Sequence, residues 1–437
     1  MKPRVRKIRD HYLVSTPETG AVSLFSPAEY YAFKKISGVP LQEKEITVRK
    51  VLEEVGCTGE TAGDFIRIFM KKLAQQGWLR EHRLEEDPGP LQHVYLSVTT
   101  RCNLSCLYCY IGDEHIRSGN EMDAENASII LTRLRNVSPR AKIAVTGGEP
   151  FTHPDIFTIM DLIGEHGFSF VTGTNATLID DFCARKLGTY RNLKLIQVSI
   201  DGISPGTHCL TRGNSFQSTM TGIMNLIKHK VPFSLAPTLH EGNLYEMEEL
   251  ARFACRNGGQ FAPNHLRKFP HAPKANLISL KQASLRRTII DTFEKINREF
   301  DLSGTGHAAI NADLHGTTRD ICSKYVCGNG WSTIDINWNG DVYPCHLLRE
   351  KEFIIGNILE EEFEAIFSRS RNSSTRTRSY EIPKCKNCPF VATCAGGCRA
   401  SSFYTHGTFA AEDEFCEILY KFEVDKLFQS KDIPFHL

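Results

Sequence analysis

At 437 residues the chain is too long for one ordinary core, and its length implies two to four domains. Hydrophobic residues at 41% and charged residues at 24% describe a globular protein rather than a disordered or fibrous one. A net charge of +1 leaves no electrostatic case for nucleic acid or an anionic membrane, and no apolar run nears the ~18 residues a spanning helix needs. The basic start, Met1 to Lys7, lacks the apolar segment of a signal peptide, so a cytoplasmic location is expected.

Residues 1–86 read as a small α+β module. Segments 12–16 and 21–25 flank a turn at Glu18, Thr19 and Gly20, a hairpin pattern. Ser26, Pro27 and Glu29 supply an N-cap, a proline at the first helical position and a capping-box glutamate. Val48, Val51, Leu52 and Val55 repeat at helical spacing, and Phe65, Phe69 and Leu73 mark a third helix that stops at Gly77. A hairpin with three helices is a winged-helix-like arrangement, suited to a peptide or to DNA. Glu53, Glu54, Glu60 and Asp64 speak against DNA. The run from Glu85 to Pro90 is a linker by composition.

Between 91 and 300, strands and helices alternate. Strands are expected at 93–98, 142–146, 169–172, 194–200, 233–238 and 259–262, with helices at 124–134, 156–166, 180–187, 218–229 and 244–255. Repeated β-α units imply a parallel sheet, and six of them suit an open or partial barrel. Chemistry in such folds gathers at the C-terminal ends of the strands. The region 310–437 is poor in periodic segments and rich in Cys, Gly and Asn, so it needs staples.

The cysteines number 15, and in a reducing compartment such a count favours metal ligation over disulfides. Cys57, Cys183, Cys209 and Cys255 are scattered and read as incidental thiols. Cys102, Cys106 and Cys109 form C-x3-C-x2-C directly after the first expected barrel strand. Three such thiols can hold three irons of a [4Fe–4S] cubane and leave the fourth open to a small molecule, or contribute to a zinc site. Tyr108 puts an aromatic face beside them. Gly147 and Gly148 end the second strand and allow close backbone approach, and Glu149 offers a carboxylate to an ammonium group. Asn175 follows the third strand, and Ser199 and Asp201 end the fourth, with hydrogen-bonding groups suited to ribose hydroxyls. A second thiol set comprises Cys322, Cys327, Cys345, Cys385, Cys388, Cys394, Cys398 and Cys416, with Gly340 between the second and third.

In these residues the chain resembles the radical S-adenosylmethionine (SAM) superfamily over 91–300. The resemblance implies a partial (β/α)6 barrel in which Cys102, Cys106 and Cys109 ligate a [4Fe–4S] cluster. It also implies that Gly147, Gly148 and Glu149 meet the methionyl amino group of SAM, and that Asn175, Ser199 and Asp201 meet its ribose. The chemistry implied is reductive cleavage of SAM to methionine and a 5′-deoxyadenosyl radical, which abstracts a substrate hydrogen. The second thiol set resembles the SPASM (or twitch) region. That implies two auxiliary [4Fe–4S] clusters, one on Cys322, Cys327, Cys345 and Cys398, the other on Cys385, Cys388, Cys394 and Cys416. Cys322 stands outside the seven-cysteine signature, and two zinc sites are the alternative. The auxiliary clusters would accept an electron or serve as staples.

The front module resembles the RiPP recognition element, which takes the leader of a ribosomally made precursor peptide as an added strand. The expected function is therefore an oxidoreductase that installs an intramolecular crosslink in a precursor peptide, drawing electrons from a low-potential donor such as flavodoxin or ferredoxin. A thioether from a cysteine sulfur to a carbon is the first choice, as in sactipeptide and ranthipeptide maturases. A carbon–carbon crosslink competes with it. Anaerobic sulfatase-maturing enzymes, which form formylglycine, share the SPASM region but place an aspartate after the cysteine matching Cys345, where this chain has His346. His346, Asp335 and Asp413 lie near ligand cysteines and read as structural or solvated.

Overall fold

The computed structural model describes residues 3–16, 21–79, 90–111, 119–267, 327–394 and 396–429, with scattered positions between 269 and 300. Three antiparallel strands open the chain: β1 (Arg4–Ile8), β2 (His11–Ser15) and β3 (Val22–Phe25), in that spatial order. The sequence reading missed β1 because Arg4, Arg6 and Lys7 conceal its alternation. Charged side chains on an edge strand are a common guard against unwanted pairing.

The side-chain alternation of β2 and β3 serves two cores. Val14 and Phe25 face α1 (Pro27–Ile36), α2 (Lys44–Glu54) and α3 (Gly59–Gln75), joining Phe33, Phe65 and Phe69. Leu13, Val22 and Leu24 face the other way, against Phe390 and the C-terminal helix Cys416–Gln429. The expected capping box is present: Ser26 Oγ accepts from the Glu29 amide, and Glu29 returns to the Ser26 amide.

The barrel strands are β4 (His93–Thr99), β5 (Lys142–Gly147), β6 (Ser169–Thr174), β7 (Leu193–Val198), β8 (Phe233–Leu235) and β10 (Gln260–Phe261). They pair in parallel in this order, and buried positions alternate along β5 and β6. The segment expected as one strand at 233–238 breaks at Ala236 and Pro237, because proline has no N–H for the ladder. Its remainder, β9 (Thr238–Leu239), pairs with β11 (Asn264–His265). A short helix, Pro205–Arg212, was not expected.

The described strands of the C-terminal region join the barrel sheet. β12 (Thr333–Ile336) pairs in parallel with β4, and β13 (Asp341–Tyr343) and β14 (Gly356–Asn357) continue outward, giving nine strands in the order β10-β8-β7-β6-β5-β4-β12-β13-β14. Ile334, Ile336, Val342, Phe363 and Ile366 belong to the same buried cluster as Val94, Leu96 and Val145. One core therefore supports both thiol-bearing regions. Ile336→Ala, which empties a fully buried position on β12, is expected to cost about 2–5 kcal/mol. Hydrogen exchange should then quicken in β4 as well as β12; exchange confined to 327 onward would contradict a shared core.

Candidate functional site

The loop after β4 carries Cys102, Cys106 and Cys109 at the C-terminal mouth of the barrel. Gly147 and Gly148 explain how it lies so close. A Cβ on Gly147, at φ +141°, would stand 2.2 Å from the Thr99 carbonyl oxygen, and one on Gly148 2.2 Å from that of Arg101. The amides of Gly148 and Glu149 donate to those two carbonyls. The glycines thus serve the approach of the thiol loop to β5.

Glu149 is buried at the end of β5, accepting from Thr174 Oγ1 (2.7 Å), the Asn175 amide (2.7 Å) and the Phe151 amide (3.2 Å). Burial pushes its carboxyl up to about 7, against the pull of the Asn175 and Thr174 hydrogen bonds. Asn175 Nδ2 donates to Asn103 Oδ1 inside the thiol loop, and the Ser199 amide donates to the Thr174 carbonyl. The ends of β5, β6 and β7 and the loop are therefore tied together.

Asp201 and Tyr108, expected at the ribose and as an aromatic face beside the thiols, are bonded to each other. Asp201 is fully buried and accepts from Arg212 Nε (2.9 Å), Thr211 Oγ1 (2.6 Å), the Tyr108 hydroxyl (2.5 Å) and the Thr238 amide (2.9 Å). Burial raises its carboxyl, but Arg212 and these bonds outweigh burial and hold it below the usual range. The Arg212 guanidinium lies 5.3 Å over the Tyr108 ring and reaches Cys106 Sγ at 3.8 Å. Arg212 was missed. Its one sequence signal was a place at the end of a short helix beginning just after Asp201.

Burial raises the Cys102 thiol to about 12 and pushes that of Cys106 up as well. In the second set Cys327, Cys345 and Cys398 lie near enough to act on one another's charge, as do Cys385, Cys388 and Cys416, and Cys388 and Cys394 pack in the same cluster. Burial pushes Cys327 to about 11 and Cys385 to about 12. Cys322 lies outside the described residues. All the cysteines of both sets that are described are free thiols, and among the described residues no three His, Cys, Asp or Glu side chains converge on an ion-sized point. Grouped buried thiols that would stay protonated by themselves fit iron–sulfur clusters, whose irons favour the thiolate and whose corners stand apart.

Between the two sets runs an aromatic and ionic bridge. His346, next to Cys345, lies tilted against Tyr95 of β4 at 4.2 Å and meets Tyr110, next to Cys109, edge-on at 5.6 Å. Burial pushes His346 down to about 3, so its ring is neutral. Arg349 lies 6.0 Å over Tyr110 and forms a two-pronged pair with Asp335 at 2.8 Å for each bond. Asp413 pairs with Arg267 (3.1 Å) and accepts from the Cys398 amide (2.6 Å). Asp335, His346 and Asp413 are thus each engaged with neighbouring side chains or backbone.

Residues 96–254 match the Radical SAM superfamily, and residues 327–389 match the SPASM iron-sulfur cluster-binding domain. The antilisterial bacteriocin subtilosin biosynthesis protein AlbA of Bacillus subtilis is 28% identical over 324 residues, 72% of this chain and 68% of AlbA. The AdoMet-dependent heme synthase of Methanosarcina barkeri is 25% identical over 339 residues, 73% of this chain and 94% of its own. The fold resembles Streptococcus suis SuiB bound to precursor peptide SuiA, with TM-score 0.61 and 14% identity over 95% of this chain and 98% of that one.

The position of Glu149 sets a pH dependence. Its charge is lost as pH falls through about 7, and with it any pairing to an ammonium group. SAM binding to the iron-reconstituted protein is expected to weaken about tenfold per pH unit below that point, and Glu149→Gln should bind weakly at every pH. Calorimetry between pH 7.5 and 6 at constant iron content checks this; a flat parent profile would remove Glu149 from the contact.

Proposed function

This chain is a radical SAM protein with a SPASM domain, and on that basis we propose that it installs an intramolecular crosslink in a ribosomally made precursor peptide. The bond we favour is a thioether from a cysteine sulfur to a carbon of another residue. The observation that carries this reading is the extent of the fold likeness to SuiB. It spans 95% of this chain, front module included, and SuiB has been solved with a precursor peptide bound. AlbA, named for the biosynthesis of a bacteriocin, supports the same substrate class.

In this reading residues 1–86 act as the RiPP recognition element. β3 is an edge of the front sheet, and α3 runs beside it with Lys72 Nζ on the Leu24 carbonyl at 2.9 Å, so an incoming leader meets an open strand flanked by a helix. Cys102, Cys106 and Cys109 would hold the SAM cluster. Glu149 would take the methionyl ammonium, and Asn175 and Ser199 would face the ribose. Asp201 and Tyr108 would act through Arg212, whose charge faces the Cys106 sulfur. The second thiol set would hold the auxiliary clusters in the two groups of four implied above.

A cluster held by Cys102, Cys106 and Cys109 would supply the one electron that splits SAM into methionine and a 5′-deoxyadenosyl radical, the species that would take one hydrogen atom from a peptide carbon. Closing the carbon–sulfur bond then releases a proton from the thiol and one electron. An auxiliary cluster is the acceptor suited to that electron, and a cytoplasmic flavodoxin or ferredoxin the source of the first. A carbon–carbon crosslink has the same balance and is the second reading. The formylglycine reading asks for a carboxylate where this chain has a neutral His346 packed against Tyr95.

The test is anaerobic turnover of the precursor encoded beside the gene, followed by tandem mass spectrometry. The expected product lacks two hydrogens, and its bridged cysteine resists alkylation. A product with the same loss but a free cysteine would move the reading to carbon–carbon bonding, and an aldehyde trapped by a hydrazide to formylglycine. Absence of 5′-deoxyadenosine from the reconstituted protein would sink all three.

A further inference from the structure

Four arginines lie deep in the region around the two thiol sets, and three have an aspartate. Arg212 pairs with Asp201, Arg349 with Asp335 and Arg267 with Asp413. Arg399 has none. Directly after Cys398, it is wholly inaccessible to solvent and heads the fully buried side chains in size. Its Nη1 donates to the carbonyls of Phe409 and Ala411, each at 2.6 Å, and its Nη2 to that of Gly396. Its Nε is buried with no acceptor, and no carboxylate pairs with it, among the described residues.

A guanidinium stays charged throughout the accessible pH range. Three carbonyls orient it without neutralising it, and a buried charge with no counter-charge is strongly unfavourable. Something anionic must therefore stand near it. Its charge reaches thiols in both groups of the second set. Its charge acts on Cys327 from one group and on Cys385 from the other, and its backbone N–H donates to the Cys327 sulfur. Clusters held by four thiolates are anionic overall, and charge and hydrogen bonds near them set their potentials.

We propose that Arg399 is the shared counter-charge of the two auxiliary clusters, held between them by three backbone carbonyls so that it stabilises the reduced form of both. One fixed cation then ties the two potentials together, which no carboxylate-paired arginine can do. The inference rests on the auxiliary clusters and not on which peptide bond is made.

The test uses the full-length protein reconstituted with iron and sulfide, without peptide. Iron and sulfide are counted, and each cluster is titrated by electron paramagnetic resonance in the parent, Arg399→Gln and Arg399→Lys. In Arg399→Gln both auxiliary potentials are expected to fall by at least a tenfold change in the oxidised-to-reduced ratio, about 59 mV for a one-electron couple. Arg399→Lys, which keeps the charge, should move them by less than half as much, and the SAM cluster should stay where it is. Full iron in Arg399→Gln with either auxiliary potential unmoved would overturn the proposal. If the glutamine variant loses auxiliary iron, retention in the lysine variant supports a requirement for charge, and equal loss in both rejects it. A parent protein with iron for only one cluster would remove the auxiliary clusters themselves, and the inference with them.

Discussion

The parallel pairing of β12 with β4 decides where everything else stands. β4 delivers the first thiol loop, and β12 starts the segment that delivers Cys345, so one ladder sets the spacing between them. The register puts Asp335 opposite Tyr95, and Arg349 then bonds both Asp335 and Ser97 of β4. A register slip of one residue would turn Ile334 and Ile336 out of the core and Asp335 into it, a cost large enough to exclude the alternative. The spacing between the thiol sets is thus fixed by hydrophobic burial and not by the cysteines.

Around that ladder the molecule holds buried charge in pairs. Asp201 with Arg212 and Asp335 with Arg349 stand at strand ends, and Asp413 with Arg267 closes the loop beside Cys398. Removing one member of such a pair typically costs about 3–5 kcal/mol, because it strands the other. Their value here is geometric. Each aspartate also accepts from backbone or side-chain donors on neighbouring elements, so the arginine is aimed: Arg212 at Cys106, Arg349 at Tyr110. Against three neutralised pairs, the unpaired Arg399 is the exception that asks for an anion.

The front module belongs to this arrangement rather than hanging from it. Its sheet spends one face on its own helices and the other on Phe390, Tyr420 and Val424, beside Cys388 and Cys394. Arg6 of β1 donates to the Tyr420 hydroxyl and lies over that ring at 5.6 Å. A ligand that bends the sheet would therefore press on the segment holding the second thiol group.

The spacing of Cys102, Cys106 and Cys109, the glycine pair before Glu149 and the six β-α repeats were legible because each is a local pattern: ligands on one loop, or apolar residues at a helix or strand period. Three helices and a hairpin at the front were legible for the same reason, while β1 was hidden by its own charges. Asp201 shows the limit. Its position after a strand was plain, but its engagement by Arg212 and Tyr108 depends on how a short helix and the thiol loop fold back onto it. The division of the second thiol set, the extension of the barrel sheet by β12 and the solitary charge of Arg399 likewise arise between segments far apart in the chain. By itself the sequence determined which chemical groups are present and which local elements carry them. Only the tertiary structure decided which charges neutralise one another, because a buried charge is settled by whatever the packing brings next to it.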